Sequence, residues 1–402
     1  MRRKNGFISA LLTGALAVSV LAGCGSTAAA SAASAASATA AASSAGTESA
    51  VTETPASSEE EVTSASSVSS GSAGEPVVSS SNTASSSAAA STSAASEETA
   101  QTVGSDDPDA MRVGSLKGPT TMGLVNLMSE AEEGNTEGSY TFTMETQPDA
   151  IASEIVSGDL DVALLPANMA SIVYNKTQGG ISVIDINTLG VLYCVTGDDS
   201  ITSVSDLAGH TVYSTGQGAT PEYALNYLLE KNNVTDCTVE FRSEATEIAA
   251  LLASDPTAIA ILPQPFVTVA EMQNDQLHTA FSLTDAWDAV SDDGSKLLTG
   301  VTVVRTEYLQ ENKDAVDLFL KESADSVDKA NSDTADTAAL VVKYGIIEKQ
   351  PVAEKALPEC RIVCITGSEM KDSLSGYLNV LCEASPESVG GNLPGDDFYY
   401  VP

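Results

Sequence analysis

Basic residues are scarce in this chain: Lys and Arg together number 18 against 55 Asp and Glu, for a formal net charge of −37. So acidic a surface repels phosphate backbones and anionic headgroups, which argues against nucleic acid or an acidic bilayer as partner. Histidine is scarcer still, with only His210 and His278. Neither lies in HExxH, and the chain has no GxSxG and no GxxxxGK[ST]. Zinc hydrolysis, serine acyl transfer and nucleotide-phosphate binding of those kinds are therefore not expected. Five cysteines follow residue 100, namely Cys194, Cys237, Cys360, Cys364 and Cys382, and none has CxxC spacing. No structural zinc site is expected, and neither a metal nor a cofactor is called for. Buried free thiols and a pairing of Cys360 or Cys364 with Cys382 both stay open, while Cys194 sits in an apolar run that reads as core.

The beginning of the chain is a targeting pattern rather than part of a fold. Arg2, Arg3 and Lys4 precede the apolar run Phe7–Val20, and Leu21-Ala22-Gly23 leads to Cys24. A short apolar run with these flanks reads as a secretion signal, not a membrane span. Its ending resembles a bacterial lipoprotein signal. The resemblance implies that residues 1–23 are removed, that Cys24 is lipidated, and that the protein is held on the extracytoplasmic face of the cell membrane. Residues 25–108 are mostly Ser, Ala, Thr, Gly and Glu, with ten acids and no Lys or Arg. Too little apolar surface is available there to offset the entropy of ordering, so residues 24–108 read as a lipidated Cys and a disordered tether. As a coil the tether would span roughly 50 Å. Transient helix in the Ala-rich pieces and glycosylation of Ser or Thr both stay open.

The remainder, 109–402, carries 45 acids and 15 bases and suits two lobes of ordinary domain size. Strand-like and helix-like stretches alternate, which predicts α/β layers with mostly parallel strands. One unit recurs. "PDAIASEIVSGDLDVALLPAN", from Pro148, aligns without a gap on "ATEIAALLASDPTAIAILPQP", from Ala245, at a shift of 97. Ile151 meets Ile248, Ala163 meets Ala260, and Leu165-Pro166 meets Leu262-Pro263. Each unit follows another strand–turn–helix, so two related lobes are expected. The β-rich runs "ISVIDINTLGVLYCVTGDDS" and "KLLTGVTVVRTEYL" read as the two crossings. Lobe 1 then takes 109–195 plus 299–402, and lobe 2 takes 196–298. The helices "ENKDAVDLFLKESADSVDKAN" and "SEMKDSLSGYLNVLCEA" return to lobe 1.

Ligands of open α/β sheets bind beyond the carboxyl ends of the strands. The turn Lys117-Gly118-Pro119-Thr120-Thr121, before Met122, lies at such an end. Gly118 allows a tight turn, either threonine is a candidate cap, outward N–H groups favour negative charge, and Lys117 adds a cation. Lobe 2 offers a counterpart in Thr215, Gly216, Gln217, Gly218, Ala219 and Thr220, with Thr220 read as the N-cap and Pro221 as the first helical residue. Two donor-rich turns, one per lobe, would clamp a small molecule with an acidic or polar end. Gln147-Pro148, Ala167-Asn168, Asn187-Thr188 and Gln264, at other strand ends, would line the same cleft. Arg242 reads as a surface ion-pair former, and Trp287 as core.

These residues together resemble a known family. The lipoprotein-type signal, the strand–"KGPTTMG"–helix start, "SGDLDVALLPAN", "DLAGHTVYSTGQGATPE" and the "NKDAVDLFLKE" helix look like solute-binding proteins of ABC importers. The nitrate/sulfonate/taurine and thiamine-precursor (NMT1/THI5-like) group is the nearest in pattern. The resemblance implies a two-lobed type II periplasmic-binding-protein fold with two hinge crossovers. It also implies a monomer that catches a small molecule between its lobes and passes it to a membrane permease. It leaves the ligand open between a sulfonate or carboxylate and a flat heteroaromatic such as a pyrimidine. A ligand sensor or surface interaction protein on the same fold is the alternative. An enzyme of chorismate dehydratase-like type is a more distant one, since export and lipidation argue for binding, and the pyrimidine synthases need a cysteine-rich motif and histidines that are lacking.

Overall fold

The computed structural model describes residues 101–105, 107–292 and 294–402. The signal segment, Cys24 and the tether up to residue 100 lie outside the described residues. In chain order the first run of elements is β1 (Gln101–Gly104), β2 (Met111–Leu116), α1 (Pro119–Met122), α2 (Val125–Glu132), β3 (Tyr140–Glu145), α3 (Pro148–Ser157), β4 (Val162–Pro166), α4 (Ala167–Thr177) and β5 (Ile181–Leu189). There follow β6 (Leu192–Thr196), β7 (Thr211–Ser214), α5 (Thr220–Lys231), β8 (Thr238–Phe241), α6 (Ala245–Ser254), β9 (Ile259–Pro263), α7 (Phe266–Gln273), β10 (His278–Ser282) and α8 (Leu283–Val290). The chain closes with β11 (Leu298–Arg305), α9 (Thr306–Glu311), α10 (Lys313–Ser332), α11 (Thr334–Lys343), α12 (Gln350–Ala356), β12 (Ile362–Ile365) and α13 (Gly367–Ala384).

Two sheets result. The first has seven strands in the order β1-β3-β2-β4-β11-β5-β12, and the second has five in the order β10-β6-β9-β7-β8. Only four neighbouring pairs are parallel: β2 with β3 and β4, and β7 with β8 and β9. The expected mostly parallel sheet is thus corrected to a mixed one. β6 and β11, the strands by which the chain arrives from the other lobe, run antiparallel to both of their neighbours, whereas β5 and β10 follow the helices α4 and α7. The outward crossing is short: β5 ends at Leu189 and β6 begins in the second sheet at Leu192. It therefore lies a few residues earlier than the sequence suggested. A second correction concerns the tether. Gln101–Gly104, read as part of it, pair antiparallel with β3. The edge of the first sheet supplies a hydrogen-bonding partner that composition alone does not reveal.

The repeated unit occupies the same place in both lobes. Ile151 and Ile248, Ala163 and Ala260, and Leu165 and Leu262 are each 0% exposed. In lobe 1 β2 pairs with β4 at Val113–Val162, and in lobe 2 β7 pairs with β9 at Val212–Ile259. Pro148 starts α3 at its first position, and Gly158 ends it at φ 85°.

One apolar core runs between the lobes. Ile151, Ile155, Leu374 and Leu378 of lobe 1 belong to the same cluster as Leu225, Leu228 and Trp287 of lobe 2. Trp287 is fully buried, stacks on Tyr227 at 4.1 Å between ring centroids, and lies 6.1 Å from Tyr377 of α13. Helix α13 therefore packs against both lobes, where the sequence suggested a return to lobe 1 alone. Asp161, just before β4, receives both Arg112 at 2.6 Å and Arg305 at 2.9 Å, which ties β2 to the end of β11. Arg242 pairs with Glu240 at 3.0 Å. The five cysteines among the described residues are free, and burial pushes the thiols of Cys194 and Cys360 up to about 12, so both act as core residues rather than nucleophiles.

Ile248→Ala should lower unfolding stability by about 2–4 kcal/mol, as for a fully buried aliphatic side chain, measured by urea denaturation. A loss under about 1 kcal/mol would show that α6 does not anchor lobe 2 in the way its burial indicates.

Candidate ligand-binding cleft

At the end of β2 the backbone turns at Gly118, whose φ of 145° disfavours any side chain. The two threonines that follow do not cap a helix as the sequence suggested. Thr120 donates to the Leu116 carbonyl at 3.1 Å, and Thr121 donates to Ser115 Oγ at 2.9 Å and to the same carbonyl. They lock the helix start back onto the strand. The helix itself, α1, is one turn long, so little dipole accumulates there.

The counterpart turn in lobe 2 differs from expectation too. Ala219 is the N-cap, Thr220 the first helical residue and Pro221 the second. Thr220 Oγ1 is directed to Tyr377 Oη, at 3.1 Å, across the gap between lobes. Gly216 has φ 75°, and a Cβ there would lie 2.8 Å from Pro221. The Gly218 N–H donates to Glu222 at 2.6 Å, so an internal carboxylate already takes part of the anion-attracting capacity of this helix end. The two helix ends therefore do not form the symmetrical pair that the sequence suggested.

Between the two turns lies a cavity of about 300 Å³. Leu116, Lys117, Gly118, Pro119, Thr120 and Pro166 line it from lobe 1, and Thr220, Pro221 and Pro263 from lobe 2. The crossings contribute Gly190, Val191, Leu192, Leu297, Leu298 and Thr299. The walls are mostly aliphatic and proline surface, with Lys117 and the three threonines as polar points. Of the expected site residues, the structure brings Lys117, Gly118, Thr120 and Thr220 together here. Thr121 and Met122 are 0% exposed and sit behind the cleft. Gln147 and Pro148 form the start of α3 outside it. Ala167 is buried in the first turn of α4, and Asn168 donates to the Ser388 carbonyl at 3.3 Å. Thr215, Gly216, Gln217, Gly218 and Ala219 shape the turn without lining the cavity, and Gln264 borders a different one. The prolines and the crossing residues were missed. Their signal was present in the repeat, where Pro166 and Pro263 occupy equivalent strand ends.

Asn187 and Thr188 belong to a buried polar chain behind Thr120. Thr188 donates to Asn187 Oδ1 at 2.9 Å, Asn187 donates to Thr302 Oγ1 at 3.1 Å, and Thr302 donates to Asp185 Oδ1 at 2.9 Å. Gly300 permits this approach, because a Cβ there would meet Asn187 Oδ1 at 2.5 Å and Thr120 at 2.6 Å. A void of about 10 Å³, room for one water, is bordered by Thr120, Asp185, Asn187, Thr302 and Ser323. Ser323 Oγ is the buried side-chain atom without a hydrogen-bond partner among the described residues. Burial pushes the Asp185 carboxyl up to about 7, only partly opposed by the Thr302 hydroxyl.

The stability consequence has a definite sign. Between the ordinary carboxylate range near 3.8 and about 7, the folded chain holds a proton that the unfolded chain releases. Stability should therefore fall as pH rises through that window, by at most about 1.4 kcal/mol per pH unit, and level off above it. Asp185→Asn should remove this contribution and gain on the wild type as pH rises. Parallel urea-stability profiles from pH 4 to 8 would overturn the assignment.

The fold and part of the sequence have recognised relatives. The family model described as NMT1/THI5 like matches residues 180–335. No curated protein sequence matches the chain significantly. Among solved structures, an ABC transporter protein from Parabacteroides distasonis is 21% identical with a TM-score of 0.62, over 72% of this chain and 98% of its own. The periplasmic aliphatic sulphonate binding protein SsuA from Escherichia coli is 14% identical with a TM-score of 0.59, over 74% and 93%. The fold also carries catalysis elsewhere: the desulfurization enzyme DSZB is 11% identical with a TM-score of 0.51, over 73% and 96%. Residues 180–335 thus match the NMT1/THI5-like family model, within a two-lobed fold shared with the periplasmic aliphatic sulphonate binding protein SsuA.

Proposed function

We propose that this protein is an extracytoplasmic solute-binding lipoprotein that closes two lobes on a small organic molecule and delivers it to an ABC import permease. The observation that carries the reading is the cleft itself. Both lobes and both crossings contribute to one cavity, so a bound molecule touches all four and favours the closed arrangement. Its walls suit a compact ligand with an apolar body and one polar or anionic end directed at Lys117, Thr120 and Thr220. At about 300 Å³ the site is at the small end for ligand pockets. The lining contains no histidine, cysteine or carboxylate, which supports capture rather than catalysis. Cys24 would anchor the chain, and the Ser/Ala/Glu-rich segment would set its reach.

A thermal-shift screen of alkanesulfonates, branched carboxylates and pyrimidines tests the ligand class. A ligand at 100 times its Kd adds about 2.7 kcal/mol of stability. Thr299→Trp, which fills the cleft, should abolish the shift while leaving the unliganded melt cooperative. A shift of wild-type size in that variant would remove the site assignment. Cys24→Ala should abolish metabolic palmitate labelling and release the protein from membranes. Labelling that persists would remove the anchor.

A further inference from the structure

A second cavity, of about 410 Å³, opens on another side of the molecule, where α7 of lobe 2 approaches α12 of lobe 1. Its chemistry differs from that of the cleft. Lobe 2 contributes Gln264, Thr268, Glu271, Thr279 and the apolar Met272, and lobe 1 contributes Lys355 and Glu359.

Gln264 is 4% exposed. Its Oε1 accepts from Thr268 Oγ1 at 2.9 Å and from the Thr268 N–H at 3.4 Å, which orients the amide. The backbone N–H can only donate, so the oxygen faces α7 and Nε2 faces away from it. Nε2 has no hydrogen-bond partner among the described residues. Nε2 is not sealed from solvent, so a ligand oxygen would take the place of water on this oriented donor. Lys355 adds a cationic donor on the opposite lobe. Glu271 uses Oε1 to accept from Thr279 Oγ1 at 2.8 Å, which leaves its other oxygen for a ligand, and Glu359 supplies a second carboxylate.

A pair of donors and a pair of carboxylates in one cavity match a molecule that carries both charges. We propose that this cavity between α7 and α12 binds a small zwitterion, its carboxylate received by Gln264 Nε2 and Lys355 and its ammonium by Glu271 and Glu359. Two carboxylates against one lysine leave the lining net negative, so a basic amino acid fits better than a neutral one. A ligand there touches residues of both lobes, Glu271 on one side and Lys355 on the other. This inference does not depend on the identity of the cleft's ligand.

The test is titration calorimetry of the full chain with L-lysine, L-alanine, acetate and butylammonium as probes. Saturable binding of L-lysine, tighter than L-alanine and absent for the two single-charge probes, is the expected result. Lys355→Met and Glu271→Gln should each weaken L-lysine by about tenfold or more, and Thr299→Trp in the cleft should leave it unchanged. The proposal is overturned by no saturable binding of either amino acid. It is equally overturned by acetate or butylammonium binding as tightly as L-lysine, or by L-lysine binding lost in Thr299→Trp and kept in Lys355→Met.

Discussion

The antiparallel pairing of β5 with β11 holds the two ends of the hinge side by side. These strands lie together near one edge of the first sheet, paired from Ile181–Arg305 to Leu189–Leu298 with register shifts at Leu298/Gly300, Gly300/Val301 and Thr302/Val303. Each is the last or first strand of lobe 1 before the chain crosses to lobe 2. Because both crossings leave from adjacent strands, the two connections between the lobes run side by side along one line. Gly190 and Leu297 lie at that line, where the Gly190 N–H donates to the Leu297 carbonyl at 2.7 Å. A side chain on Gly190 would meet Leu297 and Thr284 within 2.6 Å, so the crossings can pass this closely only with glycine there.

From that line the rest of the molecule follows. Strand ends from both lobes converge beside it, which places Pro166 and Pro263 in one cavity with the two helix starts. On one flank α13 lies against α5, and Tyr377 meets both Thr220 and Trp287. On the other flank α12 approaches α7, and Arg361 reaches Asp285 of lobe 2 at 2.9 Å. The central cavity is largely aliphatic, whereas the cavity near α12 is lined by charged and amide groups. The same two lobes therefore offer two chemically unlike surfaces to small molecules.

The buried polar chain behind Thr120 depends on the same pairing. Asp185 and Asn187 come from β5 and Thr302 from β11, and only their neighbouring positions let Thr302 serve both. Among the described residues no cation is hydrogen-bonded to the Asp185 side chain, and the carboxyl accordingly holds its proton towards neutrality.

The sequence by itself determined the alternation of elements, the repeat of Ile151 with Ile248, the turn at Gly118 and the burial of Trp287, because periodicity, glycine conformation and side-chain volume act locally. It also carried the two-lobed architecture, through the order of those motifs. It did not reveal that Gln101–Gly104 would join a sheet, since an edge strand takes its stability from a partner elsewhere in the chain. It placed Asn168, Asn187, Thr188 and Gln264 in one cleft because all four follow or end strands. Only the tertiary structure decided which of those ends face a common cavity, which turn inward to satisfy one another, and that Gln264 opens on a different one. Strand twist and the packing of α12 and α13 set those directions, and neither is written in the spacing of residues along a single strand.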